Sequence, residues 1–317
     1  MPFRNRKIAF VFPGQGAQYV GMGMDLVDNS PDLLQPLTEF DKKNQTDLLS
    51  IIKEGPEEVL KETKYTQPAI LFHSIAAMRS LQKVIPVEPD FVAGHSLGEF
   101  SALVANGVLS FQDALTLVHK RGEFMIKANE GTPYAMAAII GLDSLKVKEV
   151  CDSASIEGLV VVANFNSPEQ TVISGTETGV MRACDLAKEQ GAKRALPLVV
   201  GGPFHSPLIA QAGEWLALEM DKIEFNNTNI PVVSNVDAQP HKEKQKIKEN
   251  LARQVTSSVL WVDCIRKLSE LGTELFVEFG PKKVLSGLIK KIDRNIEVLS
   301  VDTVQDIAST KEKLEQL

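Results

Sequence analysis

"FVAGHSLGEFSALVANG", residues 91–107, runs from an apolar stretch through Gly94-His95-Ser96-Leu97-Gly98 into a segment with helical spacing. A strand that turns abruptly into a helix needs small residues where the two backbones pass, and G-x-S-x-G supplies them. Such a turn presents the Ser96 hydroxyl at the top of a sheet. It also puts the N–H of the next residue, Leu97, at a helix N-terminus, where a developing oxyanion is favoured. Ser96 is therefore a candidate nucleophile and Leu97 a candidate oxyanion donor. The plainer alternative is an incidental turn. Gly107 stands where the helix would be capped.

Outward from this stretch, strands and helices alternate. "KIAFVF", 7–12, is a short apolar run ending in Pro13-Gly14, and "QPAILFHSIAAMRSLQKV", 67–84, has the spacing of a helix. Alternation of this kind predicts a parallel sheet covered on both faces. A second helix starts near Ser110, with Asp113 completing an approximate capping box, and stops at "EGTP", 130–133. The texture then changes. "AMAAIIG", "LDSLKVKEVCDSA", "GLVVVANFNS", "QTVISG", "TETGVMRACDLAKEQ" and "AKRALPLVV" read as β-α-β-β-α-β, the order of a ferredoxin-like unit. Residues 131–198 are expected to form this inserted subdomain, and residues 1–130 with 199–317 the α/β core. The last part reads as a helix after "HSPL", a strand "PVVSNV", a polar loop, a helix through Arg253, a strand "ELFVEFG" and two terminal helices.

Composition narrows the class. With 44% hydrophobic and 24% charged residues in 317, the chain has the proportions of a folded globular protein. Three cysteines, Cys151, Cys184 and Cys264, lack the close pair spacing of a zinc site or a disulfide framework, so no metal is expected. Arg4, Arg6 and Lys7 precede the first apolar run, but that run is too short for a secretion signal or a membrane span. A cytoplasmic location is expected. The net charge of −7 argues against nucleic acid and anionic membranes as partners. An acidic partner would need a local basic patch, for which "KKVLSGLIKKIDR", 282–294, is the best candidate; its plainer reading is a solvated helix face.

A serine nucleophile needs a base, and there are five histidines. His95 should point away from its neighbour in such a turn, His73 and His119 sit within helix patterns, and His241 lies in a polar loop. His205, in "GGPFHSPL" (201–208), is held among glycines and prolines ahead of a helix for which Ser206 is the expected N-cap. No acid downstream is marked as a third triad member, and a backbone carbonyl would serve to orient the imidazole.

Arg121 stands on the wrong face of its helix. Its neighbours three and four residues away, Leu117, Val118, Phe124 and Met125, are all apolar. A guanidinium on a buried stripe requires an anion, and a ligand carboxylate bound by paired charged hydrogen bonds would meet that need. The alternative is an arginine reaching the surface or a distant acid. Taken with Ser96, Arg121 predicts transfer of an acyl group that bears a free carboxylate. The glycines of "FPGQGAQYVGMGMD", 12–25, lack the Lys-Ser/Thr of a phosphate loop; they are placed to bring a second backbone N–H near Ser96.

These residues resemble the malonyl-CoA:acyl carrier protein transacylases of bacterial type II fatty acid synthesis, over essentially the whole chain. The likeness is carried by "FPGQGAQ" (12–18), "YTQPA" (65–69), "GHSLGE" (94–99), "KRGEFM" (120–125), "GPFHSPL" (202–208), "SNV" (234–236) and "GPKKVLSGLIKKI" (280–292). The resemblance implies an α/β-hydrolase-like core with a ferredoxin-like insertion, Ser96 as nucleophile, His205 as general base and acid, and Arg121 as the clamp on the malonyl carboxylate. It further implies Gln15 and Leu97 as oxyanion N–H donors and Gln254 as the residue whose backbone carbonyl orients His205. Malonyl-CoA and acyl carrier protein would be the partners, with no cofactor beyond the thioester substrate and the pantetheine of the carrier. Gly201, Lys282 and "QVTSSVLW" (254–261) depart from the family's usual residues without removing a catalytic group. A malonyltransferase serving a polyketide synthase, a proofreading thioesterase and a noncatalytic carrier-binding subunit are the competing readings.

Overall fold

The computed structural model describes residues 6–28 and 31–316. Arg4 and the other chain-end positions assigned above to the core, 1–5 and 317, lie outside the described residues. The strands are β1 (Lys7–Phe12), β2 (Phe91–Gly94), β3 (Tyr134–Ile140), β4 (Val160–Ser167), β5 (Gln170–Thr176), β6 (Arg194–Pro197), β7 (Val232–Val233), β8 (Pro240–His241), β9 (Thr273–Phe279) and β10 (Glu297–Val301).

Six of them form one sheet in the order β10-β9-β1-β2-β7-β8. All pairings are parallel except that of the edge strand β8. The near-continuous apolar sequence of β1 follows from its central place, because both faces are covered. Ile8, Phe10 and Phe12 join the core built on the Thr63–Val84 helix. Ala9 and Val11 point the other way, into the core with Trp261 and Ile265 of the Trp261–Glu270 helix. The parallel sheet covered on both faces is as expected from the alternation of elements.

The other four strands make an antiparallel sheet in the order β4-β5-β3-β6. Helices Ser144–Ala154 and Glu177–Glu189 complete the predicted β-α-β-β-α-β succession. Alternation divides the faces of β3: Ala137 and Ile139 pack with these two helices, whereas Met136 and Ala138 join the main core. Backbone bonds also stitch the two sheets' surroundings together. The Phe165 N–H donates to Val259 O at 2.9 Å, and the Val259 N–H donates to Ala163 O at 2.8 Å.

Two expectations need correction. The two terminal helices, Val284–Ile292 and Val304–Glu315, are separated by β10, an edge strand whose "EVLSV" is too short and too polar to stand out from sequence. The helix expected from residue 67 starts at Thr63, with Pro68 inside it. Pro68 has no N–H to give Lys64 O four residues back. His119 supplies the bond instead, its Nδ1 lying 2.9 Å from that carbonyl. No helix among the described residues is long and apolar enough to cross a membrane.

Candidate active site

The site begins where β2 ends. Ser96 has φ of +52°, a left-handed conformation that costs a non-glycine residue on the order of 1 kcal/mol. Hydrogen bonds from both sides hold it there. The Ser96 N–H donates to Asn235 Oδ1 at 2.7 Å, and Ser96 O accepts from Gln254 Nε2 at 3.1 Å. The turn passes so close to β1 that a Cβ on Gly98 would lie 2.0 Å from Phe12 O. Leu97 precedes the Gly98–Ala105 helix as its N-cap residue, and among the described residues its N–H has no intramolecular acceptor. Across the turn, a Cβ on Gly14 would fall 2.6 Å from His95 O, so the first glycine loop is packed against the elbow. Gln15 follows directly, its side-chain Nε2 donating to Thr63 Oγ1 at 3.3 Å.

His205 is buried, with φ of +58°, and its Nε2 lies 2.8 Å from Ser96 Oγ. Its Nδ1 lies 2.8 Å from the backbone oxygen of Gln254. A carbonyl only accepts, so Nδ1 carries the proton and Nε2 is left bare to accept the Ser96 hydroxyl hydrogen. Burial first, and then the nearby Arg121 charge, push the His205 pKa down to about 3, so the imidazole is neutral. Ser206 stands at the expected N-cap position, ahead of the 3-10 turn Pro207–Ile209, but its side chain makes no cap bond. Its hydroxyl turns inward and donates to Pro203 O at 2.6 Å, bracing the turn that carries His205, while the main helix starts later, at Ala210.

Arg121 comes from the Phe111–Lys127 helix, which Ser110 caps by accepting from the Asp113 N–H at 3.0 Å. The arginine is 2% exposed, which removes the surface-reaching alternative. Its Nη1 donates to Gln67 Oε1 at 2.9 Å, and its Nη2 to Ser96 Oγ and Gln254 Oε1, both at 3.0 Å. Among the described residues its Nε has no partner. Burial lowers the guanidinium pKa to about 10, so the group stays cationic. Among the described residues every atom accepting from it belongs to a neutral group, so the buried cation lacks a direct anion there.

Sequence reasoning missed three members of this cluster: Gln67, Asn235 and Glu99. Asn235 Nδ2 donates to Gly94 O at 2.7 Å while its Oδ1 holds Ser96. Glu99 is 1% exposed and accepts from the Asn235 N–H at 3.1 Å and from Gln254 Nε2 at 2.7 Å. The signal that exposed Arg121 applies to Glu99 too, since Ala102 and Leu103 are the residues one helical turn on. His95 points away from Ser96, as expected, with Nε2 at 2.7 Å from Asn166 Oδ1. His73, His119 and His241 pair elsewhere, with Asp302, Lys64 O and Asp237.

Ser96, His205, Arg121 and Gln254 therefore meet at one point. The chemistry available is a hydroxyl with a bare imidazole acceptor, an N–H at a helix start and a buried cation waiting for an anion. A family model described as an acyl transferase domain matches residues 9–310. A malonyl CoA-acyl carrier protein transacylase of Bacillus subtilis (strain 168) is 48% identical over 302 residues, 95% of this chain and 95% of its own length. Among solved structures, a malonyl CoA-acyl carrier protein transacylase from Coxiella burnetii aligns with a TM-score of 0.93 at 39% identity, covering 98% of each chain. A malonyl-transacylase solved in complex with its type II PKS acyl-carrier protein aligns with a TM-score of 0.93 at 39% identity, over 97% of this chain and 99% of that one.

Proposed function

The chain belongs to the acyl transferase family, and from that premise we propose how its residues move a malonyl group from malonyl-CoA to an acyl carrier protein. One observation carries the reading: Ser96 Oγ lies 2.8 Å from the bare nitrogen of His205 and 3.0 Å from Arg121 Nη2. A nucleophile, its base and a carboxylate receptor thus converge within the span of a three-carbon acyl group.

In the first half-reaction His205 Nε2 takes the Ser96 hydroxyl proton as Oγ attacks the thioester carbon. Arg121 holds the free carboxylate, and the N–H groups of Leu97 and Gln15 receive the oxyanion. Collapse breaks the C–S bond, and CoA leaves as a thiol with the proton from His205. In the second half the carrier's pantetheine thiol gives its proton to His205, attacks the malonyl ester and returns Ser96 to its free form. Gln254 keeps the imidazole in the required tautomer through its backbone carbonyl. No metal or redox group is called for, because proton transfer, oxyanion binding and carboxylate binding are each assigned to a group of this chain.

We infer that the product feeds fatty acid synthesis. The solved complex with a type II PKS acyl-carrier protein favours keeping a polyketide carrier as the second reading. Relative transfer rates onto the two carriers decide between them. The test of the mechanism is intact-protein mass spectrometry after brief exposure to malonyl-CoA. A malonyl adduct that requires Ser96 and passes to added carrier is expected; no adduct and no loaded carrier would overturn it.

A further inference from the structure

Glu99 plays no part in the two half-reactions above, yet it is buried beneath them. It lies in the first turn of the Gly98–Ala105 helix. A chain of three groups runs from it to the acyl site: Glu99 Oε2 accepts from Gln254 Nε2 at 2.7 Å, and Gln254 Oε1 accepts from Arg121 Nη2 at 3.0 Å. An ionised carboxylate only accepts and a guanidinium only donates, so the amide between them satisfies both ends in one orientation alone. The amide nitrogen also has neutral acceptors within reach, Ser96 O at 3.1 Å and Asn235 Oδ1 at 3.4 Å. These favour the same orientation, and Glu99 adds the charged and shortest of the contacts to the amide nitrogen.

We propose that Glu99 is a positioning residue: acting through the side-chain amide of Gln254, its carboxylate fixes Arg121 in the pose that receives an acyl carboxylate, and so sets the preference for malonyl over acetyl groups. This rests on the assignment of Ser96 and Arg121 made above. The other charged or titratable groups facing Glu99 are Arg121 itself, Asp237 in the loop beyond β7 and Cys264 on the Trp261–Glu270 helix. Among the described residues none of these three is in hydrogen-bond contact with the carboxylate; Gln254 and the Asn235 N–H are.

The test is the ratio of acylation rates with malonyl-CoA and acetyl-CoA at pH 8, where Glu99 is ionised, measured for the wild type, Glu99→Leu and Glu99→Gln. A poorly folded variant has fewer active molecules for both substrates alike, so the ratio reports positioning and is blind to the active fraction. The ratio should fall about tenfold in Glu99→Leu, which offers no acceptor. It should fall about threefold in Glu99→Gln, whose neutral amide oxygen is a weaker acceptor for Gln254 Nε2 and the Asn235 N–H than the carboxylate it replaces. Should Glu99→Leu fail to fold, Glu99→Gln alone decides. A ratio unchanged while both rates drop together makes Glu99 a structural residue and overturns the proposal. A ratio that rises makes the carboxylate a competitor of the substrate and overturns it as well. A wild type with no malonyl preference would instead remove the Arg121 assignment, and this proposal with it.

Discussion

Arg121 Nη2 donates to Ser96 Oγ at 3.0 Å, so the residue assigned to bind the substrate's far end rests on the nucleophile itself. A serine oxygen that accepts from a cation is a poorer donor of electrons. On the proposed role of Arg121, a malonyl carboxylate would draw the guanidinium to itself and leave Oγ to His205, whereas an acetyl group would leave that contact in place. Malonyl preference should therefore appear in the rate of acylation as well as in binding.

Arg121→Ala should lose most of that preference. Leaving the malonyl carboxylate without its cation costs about 2–5 kcal/mol, so malonyl acylation should fall by roughly two orders of magnitude while acetyl acylation holds or rises, the Arg121 bond to Ser96 Oγ being lost as well. Competition between the two thioesters for the mass-labelled serine reads this directly. Equal malonyl and acetyl use by the unmutated protein would refute the clamp.

Gln254 acts through two different groups, which predicts a split. Gln254→Ala keeps the backbone carbonyl that accepts from His205 but removes the amide between Glu99 and Arg121. The bond from Gln254 Nε2 to Ser96 O goes too, so acetyl acylation should fall slightly and malonyl acylation about tenfold more. Equal losses for both substrates would mean that the side chain, too, serves the histidine.

Protonation of His205 blocks its action as a base, and its pKa of about 3 lies well below the ordinary histidine value. Lowering the pH from 8 to 6 should therefore leave the rate of acylation by acetyl-CoA unchanged, a substrate with no carboxylate for the Glu99–Gln254–Arg121 chain to position. Stopped-flow release of CoA across that range is the measurement, and a half-maximal point above pH 6 would contradict the neutral, buried imidazole.

Glu99 predicts a pH dependence of opposite origin. Burial raises its pKa to about 7, against the pull of Asn235 and Gln254, so the folded protein holds this proton more tightly than the unfolded chain. That contribution is complete below the unfolded pKa of about 4.5 and is lost as pH rises through 7. The difference of about 2.5 units corresponds to about 3 kcal/mol. Urea midpoints at pH 5 and pH 8 should show Glu99→Gln gaining on the wild type at the higher pH; a pH-independent difference would rule out an ionisation of Glu99 in that range.

What sequence disclosed follows from the range of the interactions. Ser96 announces itself because the close approach of strand and helix is local, written in two glycines. Arg121 does so because a charge among Leu117, Val118, Phe124 and Met125 breaks the helical pattern. His205 emerged from a comparison of five candidates. Glu99 breaks its pattern in the same way as Arg121, but its partner Gln254 is 155 positions away, and no spacing rule joins them. Asn235 lies 139 positions from the Ser96 N–H it accepts. Ser206 holds the N-cap position that a hydroxyl before Pro207 announces, but the buried Pro203 carbonyl takes its hydrogen, a partner outside the helix pattern. The strand β10 escaped because an edge strand with one partner needs no strong apolar signature.

The seam between the small antiparallel sheet and the segment just past Gln254 includes two main-chain bonds, Phe165 N to Val259 O and Val259 N to Ala163 O, beside the Ser258 hydroxyl bond to Val162 O. These bonds tie β4 to a residue a few positions beyond the carbonyl that accepts from His205. A displacement of the inserted sheet is therefore passed through the main chain toward the histidine's support, so the small sheet braces the base although it lends no residue to the chemistry.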